Sequence, residues 1–274
     1  MSKNKNTTAS QVVKKSDEDS EVITVNLQPY ILPIAVVVNA IIIAIAILLV
    51  GRGTTTTTVK DTPNPTPTIA QESDPNSTES STTLGDSPYL GNRDAAKIAI
   101  VEFSDYECPF CQRHHLQVYP EIVKNYVETD KAIYVYKNYI AVPSHDPAAT
   151  TEAYAALCAR ELGGNSNAKY FQMGDLIYKN TGTNGAGLAA EKSVTTLAAT
   201  IGLNAEQMQN CIDSAKYAAV MTADEEAATS AGIQGTPGFI VGVLNADGTI
   251  DGKIIAGAYP FSEFQRIADE MLAK

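Results

Sequence analysis

One stretch of this 274-residue chain carries no charge over twenty positions and divides the molecule into parts. Residues 31–50 read ILPIAVVVNAIIIAIAILLV, with Asn39 as the single polar side chain. An apolar helix of this length spans a hydrocarbon layer about 30 Å thick. The run is longer than the apolar region of a signal peptide and ends without a small-residue cleavage site. We therefore predict an uncleaved transmembrane helix rather than a removed signal peptide or a buried helix of a soluble protein.

The flanking charges predict its orientation. Lysines at positions 3, 5, 14 and 15 precede the run, and only Arg52 and Lys60 follow it closely. Because positive residues favour the cytoplasmic side, we expect residues 1–30 to form a cytoplasmic segment. The chain would then cross the cytoplasmic membrane once and place its remaining residues outside.

A polar tract follows the apolar run. Residues 51–88 contain eleven Thr, five Ser and five Pro and offer little apolar surface to bury. Such a composition predicts a disordered linker. The globular unit is therefore assigned to residues 89–274.

Composition excludes some classes of protein. With 20 basic and 31 acidic residues the net charge is −11, so the chain lacks the basic surface of a nucleic-acid-binding protein. Apolar residues make up 44% of the chain, which is enough for a buried core. Four cysteines are too few for a disulfide-rich scaffold.

The pattern after residue 89 predicts an α/β fold. Residues 97–103 and 132–136 indicate two buried strands separated by a helix, an order typical of a parallel pair with a right-handed crossover. A helical block over about 146–214 follows. Residues 238–244 and 249–255 then predict a hairpin, and a last helix closes the chain.

Cys108 and Cys111 fall at the start of the first of these helices. Cysteines three residues apart on a first helical turn can reach each other, and the partial positive charge of the helix N-terminus favours a thiolate at the first position. The exposed Cys108 would exchange disulfides, and the deeper Cys111 would resolve the mixed disulfide. We predict a redox centre that uses no bound cofactor.

Metal binding is the main alternative for this motif. Cys108, Cys111 and His115 share one helical stripe, with His114 adjacent. A structural zinc site normally draws ligands from two segments, and the chain has no second cysteine pair of this spacing. We therefore predict no metal site and interpret His114 and His115 as ordinary helix residues and His145 as a loop residue.

Two motifs give the chain a family resemblance. The stretch 101–111 reads VEFSDYECPFC, and the stretch 235–239 reads GTPGF before a strand, with the helical block between them. Over residues 95–274 the sequence resembles DsbA-like thiol:disulfide oxidoreductases of the thioredoxin superfamily. The resemblance implies a thioredoxin fold with an inserted helical subdomain, here preceded by the predicted membrane anchor.

The resemblance also assigns site residues. Cys108 and Cys111 match the nucleophilic and resolving cysteines. Pro237 matches a cis-proline that presents the backbone of Thr236 to substrate polypeptide. Glu102 matches a buried acid that relays the proton of Cys111.

The residues between and around the cysteines are expected to form the surface that surrounds the reactive sulfur. Pro109 and Phe110 are expected to contact substrate. Phe110 stands where the best-known DsbA pattern has a histidine, so no imidazole at this position can donate a hydrogen bond to Cys108. The motif therefore does not predict how oxidising the cysteine pair is. We expect Asp105 and Glu107 to be surface residues that make the rim negative.

The two other cysteines lie on inward faces of predicted helices. Cys158 and Cys211 are either two buried free thiols or a structural disulfide, and an oxidising compartment favours the disulfide. Its closure would stabilise the helical block by about 4 kcal/mol on the chain-entropy model.

These expectations combine into a predicted enzyme that introduces disulfides into reduced, exported polypeptides. A membrane redox partner, which the sequence does not name, would reoxidise the cysteine pair. Two alternatives are a membrane-fed reductase or isomerase using the same cysteines and a metal-binding chaperone using cysteine and histidine. The redox potential separates the first alternative from the oxidase.

Overall fold

The structure, a computed structural model, describes residues 78–274. The predicted cytoplasmic segment 1–30, the predicted transmembrane helix 31–50 and most of the predicted linker lie outside the described residues. No helix within 78–274 combines the length and the apolar character that crossing a bilayer requires.

A six-stranded sheet organises the described residues. Its strand order is β1-β6-β5-β3-β4-β2, and only the β3–β4 pair is parallel. The strands are β1 Glu79–Thr83, β2 Tyr89–Leu90, β3 Ile98–Ser104, β4 Ala132–Asn138, β5 Gly238–Leu244 and β6 Thr249–Ala256.

Eight α-helices accompany the sheet in this part of the chain. They are α1 Pro109–Gln117, α2 Tyr119–Ile122, α3 Ala148–Leu162, α4 Asn167–Asn180, α5 Val194–Thr200, α6 Ala205–Asp213, α7 Ala218–Ser230 and α8 Phe261–Leu272. A π-helical segment, Val123–Val127, follows α2, and a 3₁₀ turn, Pro143–His145, precedes α3.

Strand β3 is buried along its whole length because helices cover both faces of the sheet. Its side chains alternate between two cores: Ile98 and Ile100 belong to the larger one, and Ala99, Val101 and Phe103 to the smaller one. This explains why the strand reads as a continuous apolar run rather than an alternating one. Glu102 therefore points into the larger core.

The predicted β-α-β unit is present, and its helix is interrupted. Helix α1 ends at Gln117 and α2 begins at Tyr119, with Pro120 in the first turn of α2. A proline cannot donate the backbone hydrogen bond that would continue α1. The chain then returns as β4, parallel to β3.

A helical insertion lies between β4 and β5, and a disulfide joins two of its helices. Helix α3 packs against both α4 and α6. Cys158 of α3 and Cys211 of α6 are bonded, with a Cα–Cα distance of 6.0 Å and a sequence separation of 53.

The end of the chain follows the predicted hairpin and helix. Strands β5 and β6 pair antiparallel around a turn in which Gly248 has φ +87°, a value that favours glycine. Helix α8 then buries Phe264, Ile267 and Met271 against the sheet.

The predicted linker, 51–88, is wrong at its C-terminal end. Residues Glu79–Thr83 form β1, which pairs antiparallel with β6, and Leu84 is buried in the smaller core. A Ser- and Thr-rich segment can still form an edge strand because the backbone supplies its hydrogen bonds. Composition alone did not reveal this pairing.

Candidate functional site: a cysteine pair above a buried carboxylate

The cysteine pair lies at the junction between β3 and α1. Cys108 is the N-cap residue of α1, Pro109 occupies the first turn, and Cys111 lies one turn into the helix. Cys108 is 5% exposed and Cys111 is 0% exposed, so the prediction of an exposed Cys108 is wrong, although Cys111 is the deeper of the two. Proline suits the start of a helix because the N–H groups there have no helical partner. This local order places the Cys108 sulfur beside free backbone N–H groups.

The loop before β5 faces the first sulfur. The Cys108 Sγ lies 3.4 Å from the carbonyl oxygen of Thr236, which accepts a hydrogen bond from Cys108 when that residue is a protonated thiol. The Thr236–Pro237 peptide bond is cis. Thr236 and Pro237 thus lie next to the reactive sulfur, where the sequence analysis placed a substrate contact.

Several donors stabilise the thiolate form of Cys108. A hydrogen bond from the Cys111 thiol is the largest influence that lowers the pKa of Cys108, to about 5, and burial opposes it. The Thr236 side chain and the N–H groups of Phe110 and Cys111 lower the pKa further. Cys108 is therefore ionised at neutral pH.

Cys111 has the opposite character. Burial raises the pKa of its thiol well above the usual value, and the neighbouring Cys108 raises it further. One sulfur of the pair is thus a thiolate and the other a protonated thiol. This asymmetry is what stepwise thiol–disulfide exchange requires.

Glu102 lies beneath the cysteines and is 1% exposed. Its carboxylate accepts hydrogen bonds from the hydroxyl groups of Ser104 at 2.8 Å and Tyr134 at 2.6 Å. Burial raises the pKa of Glu102 to about 7, although both hydrogen bonds lower it. A carboxyl group with this pKa can take up or release a proton near neutral pH.

Asp105 and Glu107 are not surface residues, and this prediction is wrong. They are 2% and 0% exposed, respectively. The Asp105 carboxylate lies 2.6 Å from His145 Nδ1 and accepts a hydrogen bond from the Glu107 N–H at 2.8 Å. Burial raises the pKa of Asp105 to about 6, against the influence of His145.

The insertion explains why these acids are buried. The Glu107 carboxylate accepts hydrogen bonds from the Thr181 hydroxyl and from the N–H of Gly187, both on the loop after α4. Glu152 of α3 lies nearby, and burial, together with Glu107, raises the pKa of Glu152 to about 9. Partners from distant segments thus cover positions that look exposed in the sequence.

His145 also differs from its predicted role as an ordinary loop residue. It lies in the 3₁₀ turn before α3, is 4% exposed, and contacts Asp105 across 40 positions of sequence. No local pattern signals this pair, because the contact forms only when the insertion packs on the loop before Cys108.

The other two histidines do not gather around the cysteines. His114 Nε2 lies 3.2 Å from the Tyr134 hydroxyl, and burial lowers the pKa of His114 to about 3. His115 Nε2 lies 2.8 Å from Asp175. Within residues 78–274 no three His, Cys, Asp or Glu side chains are arranged to hold a metal ion.

Phe110 gives the site an apolar, solvent-facing surface. Its side chain is 54% exposed, and the Arg113 guanidinium lies 5.1 Å from the centre of its ring. Pro109 is partly exposed beside it, so both residues between the cysteines are accessible to a polypeptide.

Sequence comparison now assigns the family. The family described as thioredoxin matches residues 83–270, more than two thirds of the chain. The chain belongs to the thioredoxin family. The match includes the cysteine pair, Glu102 and the Thr236–Pro237 loop.

Curated relatives of this thioredoxin-family protein include a Rickettsia bellii protein provisionally named as a protein-disulfide oxidoreductase. The two are 28% identical over 153 residues, which cover 56% of this chain and 55% of that protein. A similarly named protein of Rickettsia conorii is 27% identical over 164 residues, covering 59% and 56%. This chain thus spans little more than half the length of the curated relatives it matches.

Solved structures support the fold. BdbD from Bacillus subtilis, in its oxidised form, has a TM-score of 0.57 and 19% identity, with coverage of 73% of this chain and 100% of that one. Alpha-DsbA1 from Wolbachia pipientis has a TM-score of 0.57 and 20% identity, with coverage of 70% and 94%. The thioredoxin-like fold with a helical insertion is thus shared with both.

Ser104, like Tyr134, is a site residue that the sequence analysis did not single out. It is 1% exposed, and its hydroxyl contacts Glu102 directly. A signal was available, because residues two positions apart on a strand share a face of the sheet. Once Glu102 is placed below the cysteines, Ser104 must lie on the same side.

Proposed function

We propose that this protein is a thiol:disulfide oxidoreductase whose Cys108–Cys111 pair introduces disulfides into exported polypeptides. The observation that carries the proposal is the geometry of the pair. An N-capping cysteine faces the Thr236 carbonyl, and a fully buried thiol lies one helical turn behind it. The names of the Rickettsia relatives agree with this chemistry.

The reaction starts from the disulfide form. A client thiolate attacks the Cys108 sulfur, which forms a mixed disulfide and releases Cys111 as a thiolate that takes up a proton. A second client thiolate then attacks the client sulfur, so that a client disulfide forms and Cys108 leaves as a thiolate. Two electrons pass from the client to the cysteine pair.

The thiolate at Cys108 supports the oxidising direction. Stabilising the reduced form makes the disulfide a stronger oxidant. A pKa of about 5 at Cys108 lies between the values of about 3.5 for DsbA and about 7 for thioredoxin. The hydrogen bond from Cys111 and the N–H groups of α1 thus perform part of the role that an imidazole has in other members.

Client binding is assigned to the surface around Cys108. Thr236 and Pro237 would offer backbone contacts on one side, and Pro109 and Phe110 an apolar contact on the other. Glu102 would accept the proton of Cys111 because it lies on the buried side of the pair and titrates near neutral pH.

The cellular setting is part of the proposal. The apolar run at 31–50 would anchor the protein in the cytoplasmic membrane, with its N-terminus inside and the cysteine pair outside. A membrane redox partner would then reoxidise the pair. Protease protection in intact cells tests this topology: digestion of the domain from outside supports it, and full protection contradicts it.

Trapping tests the activity. Replacing Cys111 by Ser leaves the Cys108 thiolate without its resolving thiol, so mixed disulfides with reduced exported polypeptides should accumulate. The matched control is Cys108→Ser, which should trap none. Absence of adducts in the Cys111→Ser variant would contradict the proposal.

The direction of electron flow is tested by the reduction potential. A value near −120 mV supports donation of disulfides, and a value near −270 mV supports a reductase. The in-cell redox state gives a second test, because an oxidase should hold Cys108 and Cys111 mainly as a disulfide.

A further inference from the structure

Two turns leave the same edge of the sheet and meet beside the reactive cysteine. Strands β3 and β4 are parallel neighbours, with Ser104 opposite Asn138, so the segments that follow them begin side by side. Asp105 is the first residue after β3, and His145 lies in the 3₁₀ turn after β4. His145 Nδ1 is 2.6 Å from Asp105 Oδ2, and both residues are buried. An imidazole–carboxylate pair thus joins the two turns.

The Asp105 side of this pair is hydrogen-bonded to the backbone that carries Cys108. Asp105 Oδ1 accepts a hydrogen bond from the Glu107 N–H at 2.8 Å. The Asp105 carbonyl oxygen accepts another from the Cys108 N–H at 3.1 Å. Both bonds close the tight turn that leads into α1, where Cys108 is the N-cap residue. The His145 ring is therefore connected to the Cys108 backbone through a single residue, Asp105.

The loop after α4 holds both turns from the other side. Its Asn184 N–H donates a hydrogen bond to the Glu107 carbonyl oxygen at 2.7 Å. Its Gly185 lies so close to the Ser144 carbonyl oxygen that a Cβ at this position would overlap that oxygen. The loop thus contacts the turn before α1 and the 3₁₀ turn together. Close packing of this kind fixes the two turns relative to each other.

The hydrogen bonds require a carboxylate at Asp105 and a donor at His145. Asp105 Oδ1 accepts the Glu107 N–H, so the ionised carboxyl suits the turn, and His145 Nδ1–H is then the donor to Oδ2. Burial raises the pKa of Asp105 to about 6, and the hydrogen bond from His145 opposes this rise. The other ionisable groups around this carboxylate are Glu107, Cys108 and Glu152, which are all acids. Within residues 78–274, His145 is thus the only basic side chain that hydrogen-bonds to Asp105.

We propose that His145 is a positioning residue for Cys108 and acts through Asp105. Its Nδ1 holds the Asp105 carboxylate against the Glu107 N–H, so that the turn places the Cys108 sulfur at the free N–H groups of α1. The inference rests on the proposed thiol–disulfide exchange, in which the Cys108 thiolate is the reacting group. An imidazole thus supports this sulfur from outside the cysteine motif, in which Phe110 supplies none.

A positioning role changes the redox equilibrium, whereas a structural role does not. The Cys108 thiolate exists only in the reduced protein, so contacts that place donors around it stabilise the reduced form relative to the disulfide. A contact that supports only the fold stabilises both forms equally and leaves their ratio unchanged. The equilibrium of the full-length chain in detergent with glutathione and glutathione disulfide, at about pH 7.5, therefore separates the two roles.

Two substitutions at one position isolate the hydrogen bond. Asparagine can place an amide N–H where the imidazole Nδ1–H lies, so His145→Asn keeps a donor for Asp105, and His145→Leu removes it. We expect His145→Leu to shift the equilibrium about tenfold toward the disulfide form, which corresponds to about 30 mV. His145→Asn should remain close to wild type. Equal shifts in both variants, or no shift in His145→Leu, would overturn the positioning role.

His115→Leu is the matched control. His115 Nε2 lies 2.8 Å from Asp175 Oδ1, so this variant also breaks an imidazole–carboxylate contact. That pair makes no side-chain hydrogen bond to residues 105–108, all of which the structure describes. We expect the redox equilibrium of this variant to match wild type. A shift as large as that of His145→Leu would overturn the inference, because loss of any such histidine would then suffice.

The wild-type protein supplies a test that needs no variant to fold. Because coupling between two sites is reciprocal, the redox state of Cys108 must also affect the His145 ring. The nitrogen NMR chemical shifts of this ring should differ between the oxidised and reduced forms, and identical shifts would overturn the inference. Failure of the wild-type chain to exchange with glutathione disulfide would instead contradict the proposed function.

Discussion

Two cysteine pairs in the same domain have opposite chemistry. Cys158 and Cys211 lie 53 residues apart and are joined in a disulfide, whereas Cys108 and Cys111 lie three apart and are free thiols. Burial does not separate the pairs, because Cys111 and Cys158 are both fully buried.

The neighbours of each sulfur make the difference. Cys158 is surrounded on α3 by buried alanines, while Cys108 has backbone N–H groups, Thr236 and the Cys111 thiol beside it. A thiolate needs such donors to form near neutral pH. The comparison indicates that donors at a helix N-terminus, rather than exposure of the sulfur, mark the reactive pair.

The largest expected effect comes from Cys108→Ser. This change removes the only thiolate of the described residues that is positioned for attack, so the rate of peptide disulfide exchange should fall by at least about 1000-fold. The free energy of unfolding of the reduced protein should change little near pH 5, and at higher pH reduced Cys108→Ser should be less stable than reduced wild type. Exchange persisting in this variant would show that another cysteine acts as the nucleophile.

Removing the Cys158–Cys211 disulfide is expected to lower stability and to leave the exchange rate unchanged. The double substitution Cys158→Ala and Cys211→Ala removes a cross-link that closes a 53-residue separation, which should cost about 4 kcal/mol of stability. Denaturant unfolding measures this loss. At temperatures where the variant is folded, its exchange rate should match wild type, and a large loss of exchange would contradict the division between the pairs.

A pH series sharpens the comparison further. The pKa of Cys108 is lowered to about 5, so alkylation of the reduced protein by iodoacetamide should rise with a midpoint near pH 5. A midpoint near the ordinary thiol value of about 8.5 would contradict the thiolate.

The lowered pKa of Cys108 also makes the free energy of unfolding of the reduced protein depend on pH. Because the folded pKa of Cys108 lies below the unfolded one, the thiolate stabilises the folded, reduced protein fully at high pH and loses that contribution as pH falls toward 5. Reduced wild type should therefore gain stability over reduced Cys108→Ala as pH rises from 5 to 8.5. Urea unfolding of both proteins at each pH measures the difference.

The smallest effect is expected at the exposed edge of the reactive pair. Phe110→Ala removes an exposed ring and its contact with Arg113, so exchange with a peptide client should fall only about two- to fivefold. Exchange with a small thiol should not change. Equal losses with both substrates would indicate that Phe110 acts on Cys108 rather than on the client.

Local sequence patterns were sufficient for most of the sheet and for the cysteine pair. The continuous apolar run of β3, the hairpin around Gly248 and the cysteines at the start of α1 are each encoded within a few neighbouring residues. Short-range backbone preferences decide such features. The wrong linker boundary at Glu79–Thr83 shows the limit, because that strand depends on β6 nearly 170 positions later.

The buried acids show the same limit more strongly. Asp105 and Glu107 follow a strand and precede a helix, a setting that is usually exposed, and they are covered by His145, Thr181 and Gly187. These partners come from the helical insertion and its flanking turn. Their placement depends on how the insertion packs, which no spacing near the cysteines encodes.

The amino-acid sequence determined that two cysteines begin a helix after a buried strand, because strand burial, proline at a helix start and cysteine spacing are local properties. Tertiary structure alone decided how acidic each sulfur is and which groups surround it. Those quantities depend on desolvation, on the Thr236 and Ser104 side chains and on the negative charge of Glu102, and electrostatic effects act through space rather than along the chain.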